Sequence, residues 1–467
     1  MKSFSYELAR FAVDAKFEDL PDKVIHEAKR ILLDSLACGL VGAFCDRGKY
    51  SIGISKRLGG TPESSIIGIP EKVSCSSAAF ANGELMNAMD YDAFEIPPGH
   101  FPPFVIPPSL AVAESVGASG KDLMLATVIG HELGSRIGAG LTPQKGRFGE
   151  NKSMVVLASG QSFFIFGGVI AAGKLLNLDS KKMTHAIGIA GHFCPVPNNR
   201  KFQITAPSPM SRLTGWVSQA AVMAALLAES GYLGDVNVFD GEFGFWRMYA
   251  YDSWGPDKVI DRIGKEWFFL NVGYKPYPCH RAMNTAMDCF IKILEINKFE
   301  PEDIDKVRVF CNPSVMAQPA SSLLTNHVDA QSNIEYNFAC AANRISIEEW
   351  QSSETMKNPE VLTFMKKIVA EGPPDWKERV KKNPKSRWSG GVEVKAKGKT
   401  YYEEGTFPWG TAFTDFEMTD GDLVDKFKRC ASKVLDQEKI NRVVEHVLEL
   451  EKVENVGVIM EQLTGSP

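Results

Sequence analysis

The sequence predicts a mainly α protein: a large all-helical domain, completed by C-terminal helices, and a smaller α+β domain. Three observations carry this prediction. Apolar residues recur at helical spacing through most of residues 1–267. Short strand-like runs appear between 268 and 407, and helical signals return from 408 to 467. The length of 467 residues suits two such units, because a single core stops growing at roughly 250–300 residues.

Each element has its own signal. From Pro21 to Gly42, the residues Ile25, Ala28, Leu32, Leu36 and Leu40 mark one helix face, and Pro21 suits the helix start. Lys121 to Gly140 carries Leu125, Val128, Ile129, Leu133 and Ile137 on one side. A second stripe of mostly small residues (Thr127, His131, Gly134, Gly138) lets another helix approach closely. Ser162 to Leu176 is apolar around most of its circumference, which predicts a central buried helix. Ser211 to Gly231 is Ala-rich and helical. Phe268 to Val272 is a short strand-like run, followed by a helix from about Arg281 to Ile296. Asp305 to Cys311 alternates like a strand, and Gly391 to Tyr402 reads as a hairpin turning at Lys397-Gly398. Lys377 to Arg387 reads as a solvated basic loop. Thr419-Asp420-Gly421-Asp422 starts the C-terminal helices.

Composition narrows the function classes. Lys plus Arg is 52 and Asp plus Glu is 57, a net charge of -5, so a broad nucleic-acid surface is not expected. The longest apolar stretch, Phe163 to Gly173, is too short for a bilayer, which needs about 20 residues. Nine scattered cysteines include no CxxC. They read as reduced, mostly buried thiols of a cytoplasmic protein.

Familiar catalytic motifs fail. GxSxG and GxGxxG are absent. Gly168 to Lys174 matches GxxxxGK, but Leu175 stands where a magnesium-binding Ser or Thr belongs. His131-Glu132 begins like HExxH, but Ser135 replaces the second His. Chemistry without a cofactor or metal is therefore the expectation.

Three constellations remain, the third being His131-Glu132 with Arg136. Asn87-Ala-Met-Asp90-Tyr91-Asp92 precedes a Pro/Gly-rich loop from Pro97 to Pro103 that carries His100. A His can serve as acid or base at neutral pH, and a nearby Asp can orient it or take a proton itself. Caps and loop hydrogen bonds would explain the same residues structurally. In Tyr274-Lys-Pro-Tyr-Pro-Cys-His-Arg281, the prolines force an extended approach and His280 falls at a helix start. Lys275, His280, Arg281 and the helix N-terminus would suit a substrate carboxylate. The alternative is an ordinary strand–helix junction. Glu132 and Arg136 read as an i,i+4 helix pair. Arg212, ahead of the Ala-rich helix, is equally suited to a carboxylate or to a plain helix start.

These residues resemble the MmgE/PrpD family of 2-methylcitrate dehydratases, cis-aconitate decarboxylases and iminodisuccinate epimerases. The resemblance runs through Ala28 to Leu36, Asn82-Gly83, Asp90-Tyr91-Asp92 and Gly99-His100. It continues through Gly117 to Leu123, Arg136 to Gly138, Gly173 to Asp179, Ala186 to Gly191 and Lys275 to His280. It implies a helical domain with an α+β lid, an active site between them and a homodimer. It also implies catalytic roles for Asp90, His100, Lys275 and His280. Candidate substrate-binding residues are Tyr91, His131, Arg136, Arg212 and Arg281. The chain departs from the family pattern at Asn87 (usually His), Phe94 (usually Thr) and His131 (usually Tyr). An active-site His is missing near Ala158, and a Lys near Met210–Ser211. The expected activity is a cofactor-independent lyase, dehydratase-like, acting on a small carboxylic acid. An isomerase, epimerase or decarboxylase is the alternative, and a non-catalytic binding protein a third class.

Overall fold

The computed structural model describes residues 3–95, 99–148, 153–156, 162–194, 214–313 and 324–465. The protein is mainly helical, with only small sheets. Its buried apolar residues form two clusters. One draws on Phe4 to Tyr274 and again on Met418 to Leu463. The other draws on Tyr277 to Ala396.

The first cluster is built around the helix Phe164–Leu175, whose side chains are buried except near Lys174. The Lys174 ammonium donates to the carbonyls of Ala12, Val13 and Ala15 at 2.8, 3.3 and 2.9 Å. The helix Gly120–Gly140 crosses it through the small-residue stripe. A Cβ added at Gly130 would lie 2.5 Å from the Gly167 carbonyl oxygen, and one at Gly134 would lie 2.3 Å from the Phe101 ring. Around them stand Asp22–Gly42, Cys75–Asn87 and Thr214–Glu229. The helix Asp420–Ala431, with Thr419 and Asp422 closing a capping box, packs on Asp22–Gly42. It buries Leu423, Phe427 and Cys430, and also Lys426.

The second cluster packs the helix Asn284–Asn297 on a four-stranded sheet. Ile304–Phe310 runs parallel to Ile368–Glu371 and antiparallel to Gly390–Ala396. Lys399–Gly405 completes the sheet by a hairpin. Its two turn residues, Lys397 and Gly398, have φ of 49° and 71°, as a two-residue primed turn requires.

Several sequence expectations differ from the structure. Phe268–Asn271 is a 3-10 turn, and only Val272–Gly273 forms a strand. Arg281–Met283 is also a 3-10 turn, so the following helix begins at Asn284. The basic segment is not a loop: Trp376–Lys382 is helical and Pro384–Trp388 a 3-10 turn. The Pro-rich run does not stay irregular either. Pro102 opens a helix that continues to Val116. Proline at a first helical position lacks only an N–H that would have no partner there. All nine cysteines are free. Among the described residues no helix is long and apolar enough to cross a membrane.

Candidate active site

The helix Cys75–Asn87 ends where the site begins. Asp90 follows in the left-handed region, at φ 52°, a conformation that Asp tolerates better than most residues. The chain then runs into Phe94–Glu95, which pairs antiparallel with Val272–Gly273. That short pairing aligns the 90–95 segment with the approach to Lys275. Lys275 reaches Asp90 twice: its ammonium lies 3.0 Å from Asp90 Oδ2 and also donates to the Asp90 carbonyl.

His100 stands on the other side of the aspartates. Its Nδ1 lies 2.7 Å from Asp92 Oδ2, and its Nε2 lies 3.4 Å from Asp90 Oδ1. Asn87 donates to Asp92 Oδ1 at 2.8 Å. Arg47 in turn donates to Asn87 Oδ1 at 3.4 Å and to Glu84 at 2.5 Å. The side chains of Lys275, Asp92 and Asp90 are 0%, 1% and 6% exposed, but that of His100 is 17% exposed. His100 is thus the member of this quartet best placed to meet a solute.

Burial raises the Asp92 carboxyl, but the His100 charge and hydrogen bond, helped by Lys275, outweigh it. The net effect holds Asp92 below the usual carboxylate range. Asp90, Asp92 and His100 offer three potential metal-ligand atoms within 4.8 Å of one another. The Lys275 ammonium already occupies the cationic position beside Asp90. The cluster is therefore charge-balanced by its own side chains once His100 is protonated.

His280 sits at the start of the 3-10 turn, where its Nδ1 accepts the Ala282 N–H at 3.2 Å. Its backbone N–H donates to the Gln331 carbonyl at 3.1 Å. The imidazole thus caps this 3-10 turn, and the helix expected to begin here starts three residues later, at Asn284. Arg281 donates to the Tyr274 and Trp409 carbonyls and to Thr411 Oγ1, at 2.9, 3.0 and 2.8 Å. Its guanidinium lies 4.4 Å from the Phe94 ring centroid. Phe94, in the position of the motif threonine, therefore caps a cation at the junction of the two clusters. Cys279 is fully buried, and burial pushes its thiol up to about 12, far from a reactive thiolate.

Three candidates lie away from the quartet. Tyr91 is 1% exposed and its ring lies 3.7 Å from the Lys426 ammonium. His131 is fully buried, stacked on Phe101 at 4.7 Å, with Nε2 2.9 Å from Glu95 Oε2. Arg136 pairs with Glu132 at 2.5 Å and donates to the carbonyls of Val259, Asp261 and Glu266. It joins two segments of the helical cluster. Arg212, Ala158 and Met210–Ser211 lie outside the described residues.

Other residues support the site. Gln331 donates to the Ala88 carbonyl at 2.9 Å, and Gln351 to the Met89 and Pro278 carbonyls at 2.6 and 2.7 Å. These amides stitch the two halves of the chain together beside Asp90. No motif marks them in the sequence. A cavity of about 1020 Å³ is lined by two of these supporting residues, Arg47 and Gln351, with Glu84, Tyr50, Trp216 and His327 among others.

Comparison with known proteins places this geometry in context. The model of the MmgE/PrpD N-terminal domain matches residues 6–255, and that of the MmgE/PrpD C-terminal domain matches 277–450. The chain is 26% identical to cis-aconitate decarboxylase of Homo sapiens, covering 100% of this chain and 95% of the relative. It is 25% identical to cis-aconitate decarboxylase-like protein oryM of Aspergillus oryzae, over 98% of this chain and 97% of that one. For cis-aconitate decarboxylase of Aspergillus terreus strain NIH 2624 the identity is 22%, over 98% and 95%. With both family domains matched in order, over residues 6–255 and 277–450, the chain belongs to the MmgE/PrpD family.

Proposed function

We propose that the protein is a cofactor-independent lyase that removes carbon dioxide from a small, unsaturated carboxylic acid. The observation that carries this reading is the chain Asn87–Asp92–His100–Asp90–Lys275. It holds Nδ1 at 2.7 Å from Asp92 and leaves Nε2 at a longer 3.4 Å from Asp90, on a side chain that stays 17% exposed. The names of the relatives favour decarboxylation over the dehydration that the motif pattern alone suggests.

The chemistry needs few parts. When the carbon–carboxylate bond breaks, its electron pair moves onto the adjacent carbon and into the remaining conjugated carboxylate. Carbon dioxide leaves, and the carbanion needs one proton. The His100 imidazolium, stabilised by Asp92 at Nδ1, delivers that proton from Nε2 and recovers another from solvent. Lys275 acts through Asp90, because its ammonium is committed to that residue. It offsets negative charge beside the ring, so two carboxylates and an anionic substrate can share one site. Phe94 in place of the threonine removes a hydroxyl donor suited to a departing water, which speaks against dehydration.

The test is a panel of small unsaturated and hydroxylated di- and tricarboxylates in deuterated water, followed by NMR. A decarboxylase yields carbon dioxide and a product with one deuterium at the protonated carbon. Water loss without carbon dioxide identifies a dehydratase. Deuterium exchange with no net product identifies an epimerase. The absence of turnover and exchange across the panel refutes the lyase reading.

A further inference from the structure

The helix Asp420–Ala431 brings a buried cation, Lys426, next to the site. Lys426 is 2% exposed, and it is not one of the Asp90, Asp92, His100 and Lys275 quartet. Its ammonium donates to Asp34 Oδ1 at 2.7 Å, to the Tyr91 carbonyl at 2.8 Å and to the Lys275 carbonyl at 3.1 Å. An ammonium has three N–H bonds, so these acceptors account for all of them. Two of the acceptors are main-chain carbonyls at the Asp90–Lys275 pair: Tyr91 follows Asp90, and Lys275 is its partner. Asp34 closes the arrangement, since its Oδ2 accepts the Ala93 N–H at 3.0 Å.

The peptide groups on either side of Asp92 are therefore held by one ion pair, and the same ion pair holds Lys275. We infer that Lys426 and Asp34 form a positioning pair that sets Asp92 and Asp90 against His100 and Lys275. In this way the helix Asp420–Ala431 supports the catalytic apparatus without touching substrate. Stability alone does not account for the pair. A buried ion pair replaced by apolar groups of similar shape is often neutral or stabilising. A tetrahedral donor aimed at three acceptors from three distant segments instead fixes their mutual geometry.

The inference rests on the proposed roles of Asp92 and His100. It is tested with Lys426→Met/Asp34→Asn, which removes both charges together, and with Lys426→Arg, which keeps the charge but not the tetrahedral donor. One readout needs no turnover: the titration curve and tautomer of His100, from ring carbon and nitrogen NMR. The protein has only 8 histidines, so a His100→Gln spectrum assigns the signal. The other readout is kcat and KM separately, on whichever acid the panel reveals. Misplacing a catalytic group by about an ångström costs on the order of 10²-fold in rate. Folded variants should accordingly lose ~10–10²-fold in kcat, with KM little changed and the His100 titration shifted. A folded variant whose kcat and His100 titration both match the parent overturns the inference. If the parent turns over no acid at all, the lyase reading fails, and the His100 titration still decides the positioning claim. If the double variant does not fold, Lys426→Arg decides it by the same readouts.

Discussion

Replacing Asp92 with Asn should change which nitrogen of His100 carries the proton. The hydrogen-bond chain sets the direction. Arg47 donates to Asn87 Oδ1, so the Asn87 amide turns its NH₂ toward residue 92. An Asn at 92 must then offer its carbonyl oxygen to Asn87 and its NH₂ to His100 Nδ1. That Nδ1, now 2.7 Å from a carboxylate oxygen, would have to accept instead of donate. The ring would be held as the neutral Nε2–H tautomer, and the imidazolium would lose its partner. A hydrogen bond to a charged group contributes about 1.5–3 kcal/mol. The His100 titration midpoint should therefore fall. Loss of a correctly oriented acid–base imidazole costs ~10²–10⁴-fold in turnover. The assay pairs kcat against pH with ring-nitrogen NMR of His100. Turnover within a factor of ~3 of the parent, with an unmoved His100 titration, would refute the orientation chain.

Other expectations follow from the same geometry. Lys275→Met takes the ammonium away from the buried Asp90 carboxylate. Removing one partner of a buried pair costs about 3–5 kcal/mol, and denaturant unfolding reads it; a loss below about 1 kcal/mol would count against the pairing. Gly134→Ala drives a methyl into the Phe101 ring and should cost about 1–3 kcal/mol by the same measurement. Burial raises Asp288 to about 6 although it accepts from Tyr277 and Trp409. Folded protein then binds this proton between about pH 4 and pH 6 while the unfolded chain does not, so stability falls as pH rises through that window. Relative to the parent, Asp288→Asn should gain stability by about 3 kcal/mol between pH 4 and pH 7. A pH-independent difference would contradict that. Dialysis against a chelator should leave turnover intact, because Lys275 fills the cationic position; activity that vanishes and returns with a divalent metal would reassign the Asp90–Asp92–His100 cluster.

Much of the architecture was legible because helical periodicity is a local signal. The small-residue stripe at Gly134 marked a close helix crossing, and Lys397-Gly398 marked a hairpin turn. The helix Pro102–Val116 was not legible. Its prolines at 102, 103, 107 and 108 argue against a helix from local propensity alone. Burial of its residues from Pro102 through Glu114 shows tertiary packing overriding that propensity. The candidate site was legible where chemistry and spacing coincide, at Asp90, Asp92 and His100. The commitment of Lys275 to Asp90 was not, since 185 residues separate them. Nor was the role of Lys426, which reads as one charge of an amphipathic helix until its neighbours in space are known. Arg136 and Arg281 read as possible carboxylate binders. In the fold most of their donors serve main-chain carbonyls, a role that sequence spacing does not announce.

The most direct measurement is proton delivery by His100. The parent and His100→Ala are incubated in deuterated water with the acid that releases carbon dioxide in the panel. The parent should release carbon dioxide and place one deuterium on the carbon of the delocalised carbanion that is protonated. His100→Ala, folded and with Asp90 and Lys275 intact, should be slower by at least ~10²-fold. Carbon dioxide release at the parental rate from His100→Ala, with the same deuterium pattern, would contradict the central assignment.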